Sequence, residues 1–363
     1  MKKSKDVLFV GPISPPVTGQ SIAFSTLLHE LKISNKDVIN TNIDTRYSVF
    51  KAMIYIFNIF KMIFFLLSRN YDAVYFTCSR SFMGSIKDVI LINVCSLLGV
   101  KLINHLHGSD FYDFVRSSSV FYRKILIKSY HKVHTSIVLL DVMVEQFRDF
   151  PSMNIEVVTN FYDSEIDDKF NKNNQDRFEN IRLIYLSNII ATKGIFELME
   201  AFNIICQKFD NVDLFIAGEF MSDEKMSADE VEKKFDILLE SNVRIKYLRG
   251  VYGEDKIELL LNSDIFVLPS YYKSEAFPIS IIEAMATKNA IVTSNYRYLP
   301  YIVNSSNGAL VIPGSSQKLA EALEELIVDR DKLESIQVFN RYHARNHYSL
   351  HNYINKLSKI ILS

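Results

Sequence analysis

Short apolar runs alternate along this chain with longer stretches whose apolar positions recur at helical spacing. Val7–Val10 reads as a buried strand, closed by a Gly/Pro loop and followed by a helix from about Gln20. Asp72–Thr77, Lys101–Leu106, Ser136–Leu140 and Ile155–Thr159 read as further strands, with apolar helical stretches between most of them. The polar, charged segment 164–180 breaks the pattern and predicts a linker. Alternation then resumes, with strands at 182–187, 212–217, 243–247, 264–268 and 290–293. Helices are predicted at 195–209, 229–240, 254–262, 279–287 and 315–328. Strand and helix in turn imply parallel sheets covered on both faces. The predicted architecture is therefore α/β with two doubly wound, Rossmann-like domains at 1–165 and 181–345, a linker at 166–180 and a tail at 346–363. Ligands in such sheets sit at the carboxyl ends of the strands.

Composition adds little until it is read locally. With 363 residues, 48% of them hydrophobic, the chain is long enough for two cores. A net charge of −1 gives no general bias towards nucleic acid, and none is expected as a partner. Residues 1–165, however, hold 18 Lys and Arg against 14 Asp and Glu. Cys78, Cys95 and Cys206 stand apart, without CxxC or zinc spacing, which fits a reducing compartment. The apolar run behind the basic start is too short for a secretory signal, so a cytoplasmic location is expected.

Segments 45–71 and 114–140 contain no acidic residue. In the first, Val49–Leu67 is almost wholly apolar. On a helix, Lys51, Asn58, Lys61, Ser68 and Arg69 would share a stripe of roughly 100°. Lys61 interrupts any membrane span. Two readings stay open: a core helix with a thin solvated edge, which the pattern alone favours, or a helix lying on a membrane surface. Arg116, Arg123, Lys124, Lys128 and Lys132 in the second segment favour an anionic membrane as a peripheral partner.

Several motifs are absent. There is no Gly-x-Gly, no Gly-Lys of a P-loop, no HExxH and no GxSxG. Asp329 and Asp331 form the one late Asp-x-Asp, in a charged helical stretch that reads as a solvated face; no metal site is expected.

The most specific signal is Ser274–Ala284, SEAFPISIIEA, behind the strand 264–268. Glu275 precedes a helix and Glu283 lies inside it. Amides of the first helical turn are suited to phosphate or sugar oxygens. The competing structural reading makes Ser274 and Glu275 helix caps and Glu283 a surface residue. A second signal is Lys193-Gly194, in a strand-to-helix loop where the ammonium suits a diphosphate. A third is His105-Leu106-His107-Gly108 at the end of a strand. A fourth is the loop Pro15-Pro16-Val17-Thr18-Gly19-Gln20.

Residues 264–314 resemble the C-terminal domain of GT-B retaining glycosyltransferases of family four, the glycosyl transferases group 1, and the likeness extends over nearly the whole chain. The resemblance implies a nucleotide-diphospho-sugar donor (UDP- or GDP-linked), an active site in a cleft between the domains, no cofactor or metal, and retention of configuration. Carried over by position, Glu275 lies near the transferred sugar and Glu283 binds the donor ribose. The amides of Ala276, Phe277 and Ile279 face the sugar and diphosphate, His107 is aimed at the sugar, Lys193 meets the diphosphate and Gly19 approaches the donor phosphate. The family places a donor-binding Arg where this chain has Asn188: either Asn188 gives the donor a weaker hydrogen bond, or a cation such as Arg249 or Lys273 substitutes, or turnover is slow. The last helix of the family crosses back to the first domain, which residues 350–362 are suited to do. The implied acceptor is a glycan or polyprenyl-linked glycan at the inner membrane face, in bacterial surface polysaccharide assembly. The alternatives are a non-catalytic nucleotide-sugar-binding partner subunit and a nucleotide-sugar 2-epimerase.

Overall fold

Every strand pairing among the described residues is parallel, and the strands fall into two separate sheets of six. The computed structural model describes residues 5–33, 35–42, 48–172 and 180–363. One unit comprises Met1–Asn160 with His351–Ser363, the other Phe161–Leu350.

The first unit holds β1 (Asp6–Gly11), α1 (Gly19–Glu30), β2 (Asn35–Asn40), α2 (Ser48–Ser68), β3 (Ala73–Thr77), α3 (Phe82–Leu98) and β4 (Lys101–His105). It continues with α4 (Phe111–Ser117), α5 (Val120–Tyr130), β5 (Thr135–Val138) and β6 (Asn154–Val157). The strand order is β2-β1-β3-β4-β5-β6. Central strands are apolar throughout, as burial on both faces requires: Val7, Leu8, Phe9 and Val10 of β1 and Val74, Tyr75 and Phe76 of β3 are fully buried. Strand β2 is the exception. Its sequence, NKDVIN, buries only Ile39 because it lies at the sheet edge, and the apolar pattern alone passes over it.

The second unit holds α6 (Glu165–Lys172), β7 (Ile181–Leu186), α7 (Ile195–Cys206), β8 (Val212–Ala217), α8 (Ala228–Glu240), β9 (Ile245–Tyr247) and α9 (Gly253–Leu261). After these come β10 (Ile265–Leu268), α10 (Ile279–Ala286), β11 (Ala290–Ser294), β12 (Gly308–Val311), α11 (Ser316–Val328) and α12 (Arg330–His347). Its order, β9-β8-β7-β10-β11-β12, is that of a doubly wound dinucleotide-binding sheet.

Two expectations, the linker from 164 and the core helix, meet the structure differently, while Asp329 and Asp331 are solvent-exposed as read. The segment read as a linker from 164 begins as α6, because the Asp163 side chain accepts from the Glu165 amide, Ile166 is buried and Asp167 pairs with Arg341 at 2.7 Å; residues 173–179 lie outside the described residues. Asp329 caps α12 by accepting from the Lys332 amide at 2.9 Å, which accounts for the Asp-x-Asp. Helix α2 is not a core helix. Met62 and Leu66 are buried, but Phe57, Phe60 and Phe64 face solvent. The closing helix α13 (Leu350–Leu362) belongs to the first unit, where Tyr353, Leu357 and Ile361 are buried and Lys101 Nζ donates to the Ile360 carbonyl at 3.2 Å.

Asn340 of α12 ties the second unit together. Its Nδ2 donates to the carbonyls of Asn289 and Asn307 at 2.7 and 2.8 Å, and its Oδ1 accepts from Asn307 at 2.9 Å, all buried. Asn340→Leu strands the Asn289 carbonyl and the Asn307 Nδ2, each costing roughly 1–3 kcal/mol, while the Asn307 carbonyl keeps the Ile291 amide. Urea unfolding of the variant is expected to show a loss of about 3 kcal/mol with an unchanged m value.

Candidate active site

In the second sheet, β7 and β10 are hydrogen-bonded neighbours, yet the chain leaves β7 towards β8 and leaves β10 towards β11. Their loops therefore diverge and open a crevice at the carboxyl ends of the strands, the switch point where doubly wound sheets bind ligands. Loop 187–194 follows β7 and loop 269–278 follows β10. The Tyr271 amide donates to the Thr192 carbonyl at 2.8 Å and joins the two loops. Gly194 has φ +78°, and a Cβ there would lie 2.3 Å from the Pro269 carbonyl oxygen. Only glycine allows that approach.

The joined loops bring Lys193 and Glu275 together. Lys193 Nζ stands 3.5 Å from Glu275 Oε2 and donates to Ser187 Oγ at 2.8 Å. Ser270 Oγ donates to the same carboxylate oxygen at 3.0 Å. Glu275 is not a cap, since α10 starts at Pro278 with no side-chain cap bond. The amides of Ala276 and Ile279 donate to no protein group among the described residues, as expected for an uncapped helix start. A cation, a carboxylate and the positive end of a helix thus meet at one crevice, a combination suited to a phosphorylated sugar. Phe277 is nearly buried against Tyr348, ring centres 5.4 Å apart.

Glu283 is buried, not a surface residue, and Lys256 Nζ of α9 lies 2.6 Å from its Oε1. Burial pushes this carboxyl up, and Lys256 opposes the shift. Lys256 carries no sequence signal: in GEDKIELLL it reads as one more polar position of an amphipathic helix.

Asn188 is half-buried, and its carbonyl accepts from the Tyr185 hydroxyl at 3.1 Å. Gly218 packs so closely on this turn that a Cβ would meet the Ser187 oxygen at 1.9 Å, and the Gly218 amide donates to the Arg249 carbonyl at 2.7 Å. Lys273 is engaged with Glu224 at 3.4 Å.

The remaining candidates belong to the first unit. Gly19 opens α1 directly after Thr18, whose side chain closes a capping box with Ser21, and a Cβ on Gly19 would meet nothing within 4 Å. Packing therefore does not demand glycine there. His107 lies 4.0 Å from His105, ring to ring, and His105 Nδ1 is 2.6 Å from the Tyr75 hydroxyl. Nε2 of each imidazole is sealed from solvent without a partner. Burial, reinforced by Arg80, pushes His107 down to about 3. Arg80 pairs with Asp110 and lies where a Gly108 Cβ would be 2.0 Å from Nη1, so Gly108 makes room for this guanidinium. No motif had singled out Arg80. Among the described residues, no group of three His, Cys, Asp or Glu is placed to hold a metal ion.

Comparison with known proteins bears on this geometry. Residues 165–342, which include the joined loops and both carboxylates, match the family model for glycosyl transferases group 1. The chain carries a glycosyl transferases group 1 domain. Over 187 residues the chain is 30% identical to the capsular polysaccharide biosynthesis glycosyltransferase CapM of Staphylococcus aureus, covering 51% of this chain and 46% of that protein. Over 148 residues it is 32% identical to an N,N'-diacetylbacillosaminyl-diphospho-undecaprenol alpha-1,3-N-acetylgalactosaminyltransferase of Campylobacter jejuni, covering 40% and 35%. The match thus spans less than half of either relative. The Anabaena protein HepE in complex with UDP superposes with a TM-score of 0.70 at 16% identity, covering 98% of this chain and 99% of that one. A Rickettsia africae glycosyltransferase gives 0.72 at 18%, covering 99% and 98%. The fold is GT-B, with the group 1 domain as its second unit.

Lys256→Met leaves Glu283 buried without its counter-ion. Removing one partner of a buried pair costs roughly 3–5 kcal/mol. The unpaired carboxyl then titrates higher in the folded than in the unfolded chain, so protonation favours the folded state and stability falls as pH rises through the folded value. Denaturant unfolding of the variant at pH 5 and pH 8 is expected to show the larger loss at pH 8.

Proposed function

We propose that the chain is a retaining glycosyltransferase that moves a sugar from a nucleoside-diphospho-sugar to a glycan or polyprenyl-linked glycan. Its setting is bacterial surface polysaccharide assembly at the cytoplasmic face of the membrane. The observation that carries this reading is the Lys193–Glu275 contact at the β7/β10 switch point, beside the uncapped start of α10.

Departure of the nucleotide builds negative charge on the diphosphate and oxocarbenium character on the sugar. Lys193, the amides of Ala276 and Ile279 and the helix dipole stabilise the first. Glu275, held by Ser270, orients the sugar and offsets its positive charge electrostatically. The acceptor hydroxyl bonds to the anomeric carbon from the face the nucleotide leaves as the bond to the diphosphate breaks, and its proton passes to the departing diphosphate oxygen, which retains configuration. Glu283 takes the ribose diol on its free oxygen while Lys256 holds the other. His107, at the end of β4, is a neutral imidazole.

Support for a UDP-sugar comes from HepE, whose structures hold UDP and UDP-glucose. Support for a lipid-linked acceptor comes from the name of the Campylobacter relative. The reading uses no metal and no cofactor. Asn188 favours one rival, a binding subunit without turnover. Arg249 is better placed than Lys273 to offset the missing Arg, since its backbone adjoins the 187–188 turn through Gly218 while Lys273 is engaged elsewhere.

The test incubates the protein with UDP-, GDP- and ADP-sugars and a membrane lipid extract, scoring nucleotide release and lipid-linked product. Turnover is expected with one donor and only with extract. Lys193→Ala is expected to lower it by about a hundredfold, the scale of one lost donor to developing charge, and Glu275→Ala to abolish it. Donor binding without turnover would instead establish the binding-subunit reading. With His107 held near 3, the pH profile between about pH 5.5 and 8 is expected to lack an inflection that His107→Asn removes.

A further inference from the structure

Helix α2 packs by one side only. Met62 and Leu66 are buried, Asn58 Nδ2 donates to the Asn40 carbonyl at 3.0 Å, and Arg69 pairs with Asp37. On the opposite side Phe50, Met53, Phe57, Phe60, Phe64 and Leu67 recur at helical spacing, each between 55% and 68% exposed.

The apolar face continues onto two neighbouring elements of the same unit. The Tyr55 hydroxyl donates to the Met83 carbonyl and accepts from the Lys87 amide at 3.1 Å. The Phe82 ring lies 4.8 Å from that of Tyr122, whose hydroxyl is 2.7 Å from Ser85 Oγ. Phe82 and Met83 at the start of α3, and Phe121 at the start of α5, are exposed as well, on elements that adjoin α2. At 150–250 Å² per aromatic side chain, the four exposed phenylalanines of α2 present on the order of 500 Å², to which exposed Met53 and Leu67 add. The largest patch on an ordinary soluble monomer is about 300–600 Å².

Charge says what covers it. Lys61 borders the aromatic side of α2, Lys124 and Lys128 share the side of α5 that carries Phe121, and segments 45–71 and 114–140 hold no carboxylate. Asp88 of α3 is buried and paired with Lys87 at 2.8 Å. A twofold contact with a second copy would set this cationic face against itself. A span would need lipid around the whole helix, yet one side is tied to its own sheet through Asn58 and Arg69. An anionic bilayer surface supplies both the apolar depth and the opposite charge.

We propose that the first unit docks on an anionic lipid bilayer through the exposed faces of α2, α3 and α5, with α2 lying in the interface plane, aromatic side inward. The proposed glycosyl transfer gives this docking its purpose, a lipid-carried acceptor within reach, but the binding itself does not depend on that reading.

The test floats the full-length protein with phosphatidylcholine vesicles, with and without about a third phosphatidylglycerol. Wild type is expected to bind the anionic vesicles on the order of tenfold more than the neutral ones, less so in 1 M salt. The combined variant F57S/F60S/F64S is expected to lose at least tenfold, and Lys61→Ala with Lys124→Ala to lose only the preference for anionic lipid. Retention of UDP binding in calorimetry shows that the variants are folded. Wild type that binds UDP but floats with neither vesicle overturns the docking and leaves the proposed transfer standing; docking without UDP binding does the reverse. Self-association abolished by F57S/F60S/F64S, without vesicle binding, overturns the proposal, as does resistance to alkaline extraction, which marks a span.

Discussion

Lys193 and Glu275 lie 3.5 Å apart only because two loops that leave the sheet in opposite directions are fastened to each other. The fastening is backbone on backbone: the Tyr271 amide on the Thr192 carbonyl, and Gly194 pressed against the Pro269 carbonyl where no side chain fits. Strand order dictates the rest. Since β7 and β10 are neighbours while their successors lie on opposite sides, any residues in these two loops face one crevice. The positive end of α10, uncapped by any side chain, completes a place for an anion. Chemistry is thus set by topology first and by side chains second.

The same logic explains which polar groups are kept out of water. Glu283 and Lys256 compensate one another in a pair whose carboxylate is buried: burial pushes the carboxyl up and Lys256 opposes the shift. Asn340 holds the starts of β11 and β12 together by donating to the Asn289 and Asn307 carbonyls. In the first unit the buried His105–His107 pair at the end of β4 leaves both Nε2 atoms without a partner among the described residues.

Much of this was legible in the sequence. Apolar runs at strand spacing located most central strands, because residues buried on both faces cannot be polar. The motif around Glu275 stood out because its strand-loop-helix setting is itself encoded by pattern. What pattern missed has physical reasons. Strand β2 is polar because an edge buries one residue, Ile39. Lys256 and Arg80 act through partners distant in sequence, Glu283 and Asp110. For α2 the periodicity showed that one side differed from the other, but not that Met62 and Leu66 would face inward while the phenylalanines faced out. An apolar helix reads alike whether protein or lipid covers it.

The central claim is that the joined loops of the second unit hold the diphosphate of a nucleotide sugar. A crystal structure of the protein with UDP measures this most directly. The account predicts phosphate oxygens within hydrogen-bond distance of Lys193 Nζ and of the Ala276 or Ile279 amides, with the ribose on Glu283. Diphosphate density away from the β7/β10 loops, with the Lys193–Glu275 contact untouched, would contradict it.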